Sequence, residues 1–237
     1  MTTNEDHTVS VVDRLRRDIV NGVYRPRERL VEAELADGYG VNRSAMRAAV
    51  LELAAEGLVE RDPRRSARVK ALTIREGIEI AQVRRELESL CARLAAERAT
   101  DVERRALRGI VKDLREAFEE RNTPRYLAAN TTFHTAIIDM AQHEIAHDIL
   151  TRLGNFNFNQ HFPMAFSAPV PSASEAEHER VAEAIIRGDG DEAAAAMYDH
   201  LEALIEVLQA QETGESPVAG QRPRRRASRG RPRSQIA

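Results

Sequence analysis

The sequence predicts a mainly α protein, in which an N-terminal winged helix-turn-helix precedes a C-terminal antiparallel all-α helical bundle. Two observations support this fold class. The chain is 42% hydrophobic but only 4% aromatic, and its abundant Ala, Leu, Glu and Arg residues favour helix. Apolar residues recur at helical spacing along most of the 237 residues, and strand-like stretches are confined to residues 58–72. We therefore expect a small β-hairpin in an otherwise helical protein.

Residues 1–72 contain the elements of a winged helix-turn-helix domain. Helical spacing predicts three helices, over residues 9–21, 31–38 and 43–56. An extended, proline-bearing connector, YRPRERL, links the first two, and the turn YGVN precedes the third, for which Asn42 is a candidate N-cap. Two short strands, LVERD and SARVKAL, follow around the tip Pro63–Ser66. This order of elements is typical of a DNA-binding winged helix.

Residues 73–211 predict the helical bundle. The expected helices lie near residues 74–99, 101–121, 124–141, 144–160, 174–187 and 190–211. Most of the loops between them are short, so neighbouring helices should pack antiparallel. The exception is the proline-containing stretch 161–173. Residues 212–237 contain almost no core-forming side chains and predict a disordered basic tail.

The charge distribution indicates that these segments have different partners. The formal net charge of −3 divides into +1 over residues 1–70, −9 over residues 71–211 and +5 over residues 212–237. The single Cys91 excludes an internal disulfide framework and fits a reducing compartment. The polar, acidic N-terminus is unlike a signal peptide, and no apolar run approaches the roughly 18 residues of a membrane span. We expect a soluble cytoplasmic protein that does not contact a membrane.

The first domain resembles the DNA-binding domain of the GntR family of bacterial transcription regulators, over RPRERLVEAELADGYGVNRSAMRAAVLELAAEGLVERDPRRSARV. Downstream, four stretches resemble the helical effector (FCD) domain of the FadR-type subfamily: VRRELESLCARLAAERA, NTTFH, EHERVAEAIIRGD and DHL. The resemblance covers roughly residues 9–208. It implies a homodimer that binds a palindromic operator in double-stranded DNA, associates with the nucleoid, and releases or changes its grip when a small carboxylate binds.

Candidate DNA contacts lie at the start of the second helix of the helix-turn-helix, because the first residues of such a helix reach base edges in the major groove. These candidates are Asn42, Arg43, Ser44 and Arg47. Arginine makes bidentate contacts to guanine, and Ser or Asn bonds to bases or phosphates. Arg29, Arg64 and Arg65 are placed for phosphate or minor-groove contacts. The competing explanation is that these arginines form only a solvated surface.

Histidines near the C-terminus indicate a metal site. His178 and His200 lie 11 residues on either side of Asp189, which is the centre of a predicted helical hairpin, so they should face each other at one height. Asn130 and His134, spaced i and i+4, add two more donors from a third helix. Three imidazoles and one oxygen suit a divalent ion, most readily zinc. The competing explanation is a set of core histidines without metal.

The resemblance adds an effector site to this cluster. Arg84 matches a position that faces the same cavity in related proteins, where it would clamp a carboxylate. The alternative is a surface ion pair with Glu88 at i+4. Asn155 and Asn157 are weaker candidates for hydrogen bonds to the effector. FadR-type sequences usually have Asp at the position of Asn130, and a neutral amide there would lower metal affinity but leave the bound ion its full charge.

Two further motifs suggest alternative functions. HEIAH, His143–His147, has the H-E-x-x-H spacing of a zinc hydrolase, but no third ligand pattern follows it. In the tail, SRGRPRS resembles an AT-hook, in which Arg229 and Arg231 would enter a narrow minor groove. An unselective basic tail is the alternative for that segment, and an architectural DNA-binding protein led by the tail is the alternative for the whole chain. The favoured prediction is a repressor that responds to metal and a small carboxylate.

Overall fold

The computed structural model describes residues 9–61, 67–156, 161–162 and 172–214. It is mainly helical with one small sheet, as the sequence predicts. The N-terminal elements are α1 Val11–Val20, β1 Arg29–Leu30, α2 Glu32–Tyr39, α3 Arg43–Ala55, β2 Val59–Glu60 and β3 Ala67–Val69. The C-terminal elements are α4 Ile74–Arg98, α5 Asp101–Glu119, α6 Thr123–Met140, α7 Glu144–Gly154, α8 Ser172–Arg187 and α9 Gly190–Thr213.

The N-terminal domain is built around the helix-turn-helix of α2 and α3. The turn between them depends on Gly40, whose φ of +67° places it in the left-handed region that favours glycine. Asn42 is the N-cap of α3, since its side chain accepts a hydrogen bond from the Ala45 amide at 2.8 Å. Met46 and Leu53 on the inner face of α3 are fully buried against Leu15 of α1. This packing leaves the outer face of α3 in solvent.

The wing is a three-stranded antiparallel sheet in the order β1-β3-β2. In its central strand Ala67 and Val69 are buried and Arg68 is exposed, which is the alternation expected of a half-buried strand. The sequence predicts only an extended connector where β1 forms, because two residues carry too little pattern to identify a strand. The predicted wing tip, residues 63–66, lies outside the described residues.

The bundle packs six helices around one core, and α4 and α9 form its longest pair. Thr73 and Thr100 begin α4 and α5 with capping boxes that pair each hydroxyl with the glutamate three residues later. The core contains Phe133, Ile185, Met197 and many buried alanines, whose small side chains let helices approach closely.

One predicted helix is shorter than expected. The pattern indicates a helix over 144–160, but α7 ends at Gly154 and Asn155 is its C-cap. Leu150, Leu153 and Phe156 follow at a spacing of three, which extends the helical signal. Phe156 packs against the core of the N-terminal domain as well as against residues of α4 and α9. The prediction was therefore wrong at residues 155 and 156, because this apolar side chain has partners in the other domain, and residues 157–160 lie outside the described residues.

Arg104 connects the C-terminal ends of two bundle helices, which are partly buried. Its guanidinium donates to the carbonyls of Ala96, Ala99, Ile185 and Ile186, which lie at the C-terminal ends of α4 and α8. Carbonyls in the last turn of a helix lack the usual i+4 amide partner, and that of Ile185 also accepts a hydrogen bond from the Gly188 amide at 3.1 Å. One planar donor group therefore satisfies both helix ends and holds them together.

We expect Arg104→Met to lower the free energy of unfolding by about 2 kcal/mol, because buried carbonyls lose charged donors. Urea unfolding followed by circular dichroism measures this. Arg105→Met, at the exposed neighbouring position, is the control and should change little. Equal losses in both variants would contradict the role assigned to Arg104.

Candidate metal centre and DNA-binding surface

The exposed start of α3 forms one candidate DNA-binding surface. Arg43, Ser44 and Arg47 are exposed, and Arg43 and Arg47 share a face because they are four residues apart. Asn42 is also exposed, and its Oδ1 is used as the helix cap. Its amide nitrogen is therefore the group that this side chain can offer to DNA.

A second part of this surface lies on the sheet. Arg29 on β1 is directly opposite Arg68 on β3, and both are exposed. Like charges directly opposite each other are destabilising in a sheet, so an anion beside them would be favourable. Sequence analysis missed Arg68, although the alternation of Ala67 and Val69 around it was a usable signal. Arg64, Arg65, Arg229 and Arg231 lie outside the described residues.

These arginines differ from most arginines in the bundle. Within the described part of the chain, no ion pair or side-chain hydrogen bond involves the guanidinium groups of Arg29, Arg43, Arg47 or Arg68. Arg125 of the bundle, by comparison, is held by Asp113, Glu116 and Glu120. Uncompensated, exposed arginines on a helix-turn-helix are suited to neutralising phosphates.

The predicted histidine cluster forms in the bundle core. His134 on α6, His178 on α8 and His200 on α9 place one potential ligand atom each within 4.8 Å of the others. Ring centroids are 4.4 Å apart for His178 and His200, and 5.3 Å apart for His134 and His200. His178 is 1% exposed and His134 is 8% exposed. It is the one group of three such ligands found in the described residues.

Each of the three imidazoles is held at Nδ1 by a different outer partner. His134 Nδ1 is 2.6 Å from Glu88 Oε2, and His200 Nδ1 is 3.2 Å from Glu177 Oε2. His178 Nδ1 is 3.3 Å from the hydroxyl of Tyr126. Such contacts fix the tautomer and orientation of metal-binding histidines, and they leave the three Nε2 atoms to bind.

The Nε2 atom of His178 is an unusual feature of this core. It is buried and has no hydrogen-bond partner among the described residues, which is costly for a polar atom. Burial, together with the neighbouring His200 and His134, lowers the pKa of His178 well below its ordinary value. Burial also lowers the pKa of His134, against the opposing effect of Glu88. Both rings are therefore neutral at pH 7, which is the form that binds metal.

Glu88 is the group that sequence analysis underrated. It is 1% exposed and accepts hydrogen bonds from Arg84 Nε at 2.7 Å and from His134 Nδ1. Burial alone would raise the pKa of this carboxyl, but Arg84 and His134 outweigh it and lower the pKa to about 2. The i+4 pair of Arg84 and Glu88 thus exists, but it is buried rather than on the surface. A charged residue between Ala81 and Ala92 on the inner face of α4 was the available signal.

The remaining candidates lie in different places. Asn130 is half-buried on α6, one turn before His134, and its role as a ligand stays a prediction. Asn155 lines a small cleft with Ile19, Leu58 and other residues where the two domains meet. Its role in effector binding stays a prediction, as does that of Arg84. Asn157 lies outside the described residues.

The HEIAH motif does not form a zinc-hydrolase helix. His143 is the N-cap of α7 with non-helical backbone angles, and its Nδ1 accepts a hydrogen bond from the Ala146 amide at 3.2 Å. His147 is exposed, with Nε2 3.4 Å from an oxygen of Asp139. The motif therefore straddles the start of a helix rather than placing two histidines on one face. Its histidines serve as a cap and a surface ion-pair partner.

An exposed helix-turn-helix joined to a helical bundle is the architecture of a DNA-binding regulator. The signature of the bacterial regulatory proteins of the gntR family matches residues 7–69, and that of the FCD domain matches residues 79–203. The chain therefore belongs to the GntR family and carries an FCD domain.

Several relatives and one solved structure agree with this assignment. The chain is 26% identical to the transcriptional repressor RspR of Escherichia coli K12, over 82% of this chain and 85% of RspR. It is 30% identical to a probable D-xylose utilization operon repressor of Paenarthrobacter nicotinovorans, over 73% and 76% of the two chains. The match to the regulator YdhC of Bacillus subtilis, at 27% identity, spans 60% of this chain and 64% of YdhC. The E. coli McbR/YncC structure has the same fold, with a TM-score of 0.71 at 21% identity over 85% of this chain and 96% of that one.

The family consists of transcriptional regulators and not of enzymes, so the chain is a transcriptional regulator. The alternative of a zinc-dependent hydrolase that uses HEIAH is wrong. In the part of the chain that the structure describes, none of the helices combines the length and apolar character needed to cross a membrane.

We expect Glu88→Gln to lower the free energy of unfolding of metal-free protein by about 3 kcal/mol, because a buried pair loses one charge. Chelator-treated protein and urea unfolding provide the measurement. Glu86→Gln, at an exposed position on the same helix, is the control. A loss of stability no greater than that of the control would show that Glu88 is not a structural charge.

Proposed function

We propose that this protein is a homodimeric, FadR-type transcriptional repressor that leaves a palindromic operator when a metal-dependent site binds a small carboxylate. The observation that carries this proposal is the cluster of His134, His178 and His200, with each ring held from outside. In this proposal residues 1–72 read DNA, residues 73–211 bind ligand and dimerise, and residues 212–237 add sequence-independent contacts. The protein would act at the nucleoid, in the cytoplasm.

The residues of the cluster fit a divalent metal. Three imidazoles converge from three helices, and the buried Nε2 of His178 has no hydrogen-bond partner among the described residues, a place that a metal would fill. Imidazole suits zinc, and Asn130 is placed one turn from His134 to add an oxygen. All four donors are neutral, so a bound zinc would keep its +2 charge and an open position for an anionic ligand.

Arg84 supports a carboxylate as the effector. It is one-fifth exposed at its side chain and is held by Glu88, which also holds His134. Glu88 therefore holds the Arg84 guanidinium close to the histidine cluster and pairs its charge. A carboxylate bound to the metal would compete with Glu88 for charge-assisted hydrogen bonds from this guanidinium.

Two observations support a dimeric repressor. One helix-turn-helix reads a half-site of only a few base pairs, so two copies are needed for specific binding. Two relatives, RspR and the protein from P. nicotinovorans, are named as repressors. These similarities favour a repressor over an activator for this chain.

We expect wild-type protein purified without a His-tag to contain about one zinc ion per chain, as a three-histidine site would hold. The double variant His178→Ala, His200→Ala should lose it, and plasma emission spectroscopy measures both. His143→Ala with His147→Ala removes the same number of imidazoles from HEIAH and should keep the metal.

Two results would contradict the proposed metal site. One is wild-type protein that contains no metal after reconstitution with zinc. The other is a folded His178→Ala, His200→Ala variant that retains the metal. Asn130→Asp provides a further comparison. It should bind zinc more tightly than wild type, because a carboxylate replaces a neutral amide.

We expect Arg47→Ala to weaken binding to duplexes selected by the wild-type protein from a random library by roughly 10- to 100-fold, through lost base contacts. Arg68→Ala should instead weaken binding to all duplexes and reduce the salt slope by about 1. Arg108→Ala, at an exposed bundle position, is the control. Fluorescence anisotropy at several salt concentrations separates these outcomes.

Deletion of residues 215–237 tests the tail-led alternative. The truncated chain should keep its preference for the selected duplexes and lose only part of its affinity. If deletion removes nearly all DNA binding while Arg47→Ala has no effect, the protein is an architectural DNA-binding protein and the repressor proposal fails.

A further inference from the structure

A small third hydrophobic cluster lies where the two domains meet. It combines Leu72, which precedes α4, with residues of α4 and α9 and with one aromatic residue from the segment after α7. The buried members are Leu72, Ile78, Ala81, Phe162, Ile205 and Leu208. Phe156 packs against this cluster and also against the core of the N-terminal domain. The segment that follows α7 therefore contacts both domains.

Phe156 lies against the turn that connects α3 with β2. Its Cζ is 3.6 Å from the position that a Cβ on Gly57 would occupy, and Gly57 has a φ of +82°. The ammonium group of Lys70 is 5.9 Å from the centroid of its ring. The recognition helix α3 thus ends on an aromatic side chain that comes from the ligand-binding domain.

Phe162 is held by a glycine inside a helix. It is 4% exposed, and its ring lies so close to Gly77 that a Cβ there would overlap it. Glycine inside a helix costs about 1 kcal/mol relative to alanine. Gly109, the other glycine inside a long helix of the bundle, has nothing within 4 Å of a Cβ position. Gly77 is therefore explained by the ring that it accommodates.

His161 binds the connection between the domains directly. Its Nδ1 accepts a hydrogen bond from the Leu72 amide at 3.1 Å. Leu72 belongs to the short connection of residues 70–73, between β3 and α4. This segment therefore makes three contacts: Phe156 packs on the α3–β2 turn of the DNA-binding domain, His161 binds the connection, and Phe162 packs on α4 of the bundle.

We propose that Phe156, His161 and Phe162 form an interdomain anchor, whose residues are positioning residues for operator recognition. A dimer recognises two half-sites only if its two recognition helices have a fixed separation and orientation. A four-residue connection does not set that orientation by itself, since its backbone can rotate. The anchor supplies the missing constraint.

The anchor also connects the DNA-binding domain with the histidine cluster. Phe162 packs in one cluster with Ile205 and Leu208 of α9, and α9 carries His200. A ligand that shifts α9 would act on the anchor and so change the pose of the recognition helix. This part of the inference rests on the proposed metal site, whereas the positioning role does not.

Gly77→Ala, with Gly109→Ala as the matched control, tests the anchor in the full-length protein. Both changes replace a glycine inside a helix by a better helix former, but only the first meets an aromatic ring. In metal-free protein, Gly77→Ala should speed hydrogen exchange of the Leu72 amide by at least about tenfold, because His161 and Phe162 are displaced together. It should also weaken binding to the selected duplexes by about tenfold and leave binding to unselected DNA unchanged. Gly109→Ala should change neither quantity.

A second variant distinguishes displacement of the ring from loss of fold. Adding Phe162→Leu to Gly77→Ala makes room for the new methyl group, and it should restore most of the lost affinity and protection. The proposal of an anchor would be overturned if the Gly77→Ala variant exchanged the Leu72 amide and bound the selected duplexes as wild type does. It would also be overturned if Gly77→Ala and Gly109→Ala had equal effects. If Gly77→Ala does not fold, Phe156→Leu takes its place, and unchanged specific affinity in that variant overturns the proposal.

Zinc alone tests whether the histidine cluster is coupled to the anchor. Zinc should alter exchange of the Leu72 amide in wild type but not in Gly77→Ala, while both bind the same amount of metal. Failure of wild type to bind zinc would refute the metal site and leave the metal-free comparison as the test of the anchor. Binding of zinc without any change at Leu72 in wild type would refute the coupling.

Discussion

The C-terminal domain depends on one buried carboxylate. Glu88 lies in the core of the bundle, where a charge is tolerated only if it is paired and hydrogen-bonded. It meets this condition through Arg84 on its own helix and His134 on α6. The same bonds keep the carboxyl ionised and give His134 a fixed tautomer. The need to satisfy a buried charge thus orients one side of the histidine cluster, and Tyr126 and Glu177 orient the rest.

The two domains use arginine in opposite ways. In the bundle, Arg84 and Arg104 are bound to a carboxylate and to helix-end carbonyls, so their charges are satisfied within the protein. In the winged helix, Arg47 and Arg68 are exposed and bind no other side chain among the described residues. These uncompensated arginines lie on the candidate DNA-binding surface, although the overall charge of the chain is negative.

A regulator of this kind needs two domains with separate hydrophobic cores and a physical connection that limits their relative orientation. Separate cores allow each domain to be stable in more than one relative pose, and the short connection limits how far that pose can vary. Phe156 and Phe162 add contacts that select one pose, since each fills a place next to a glycine. The energetic difference between poses can then be small enough for a ligand to change it.

The sequence by itself determined the elements of the fold, the recognition helix and the matching heights of His178 and His200. Each of these follows from local periodicity, from a cap such as Asn42, or from counting residues along two helices joined by a tight turn. Only the tertiary structure decided that Glu88 supports His134 and that Phe156 contacts both domains. Those outcomes depend on which surfaces meet after the helices pack, and the local periodicity around Glu88 and Phe156 does not specify these partners.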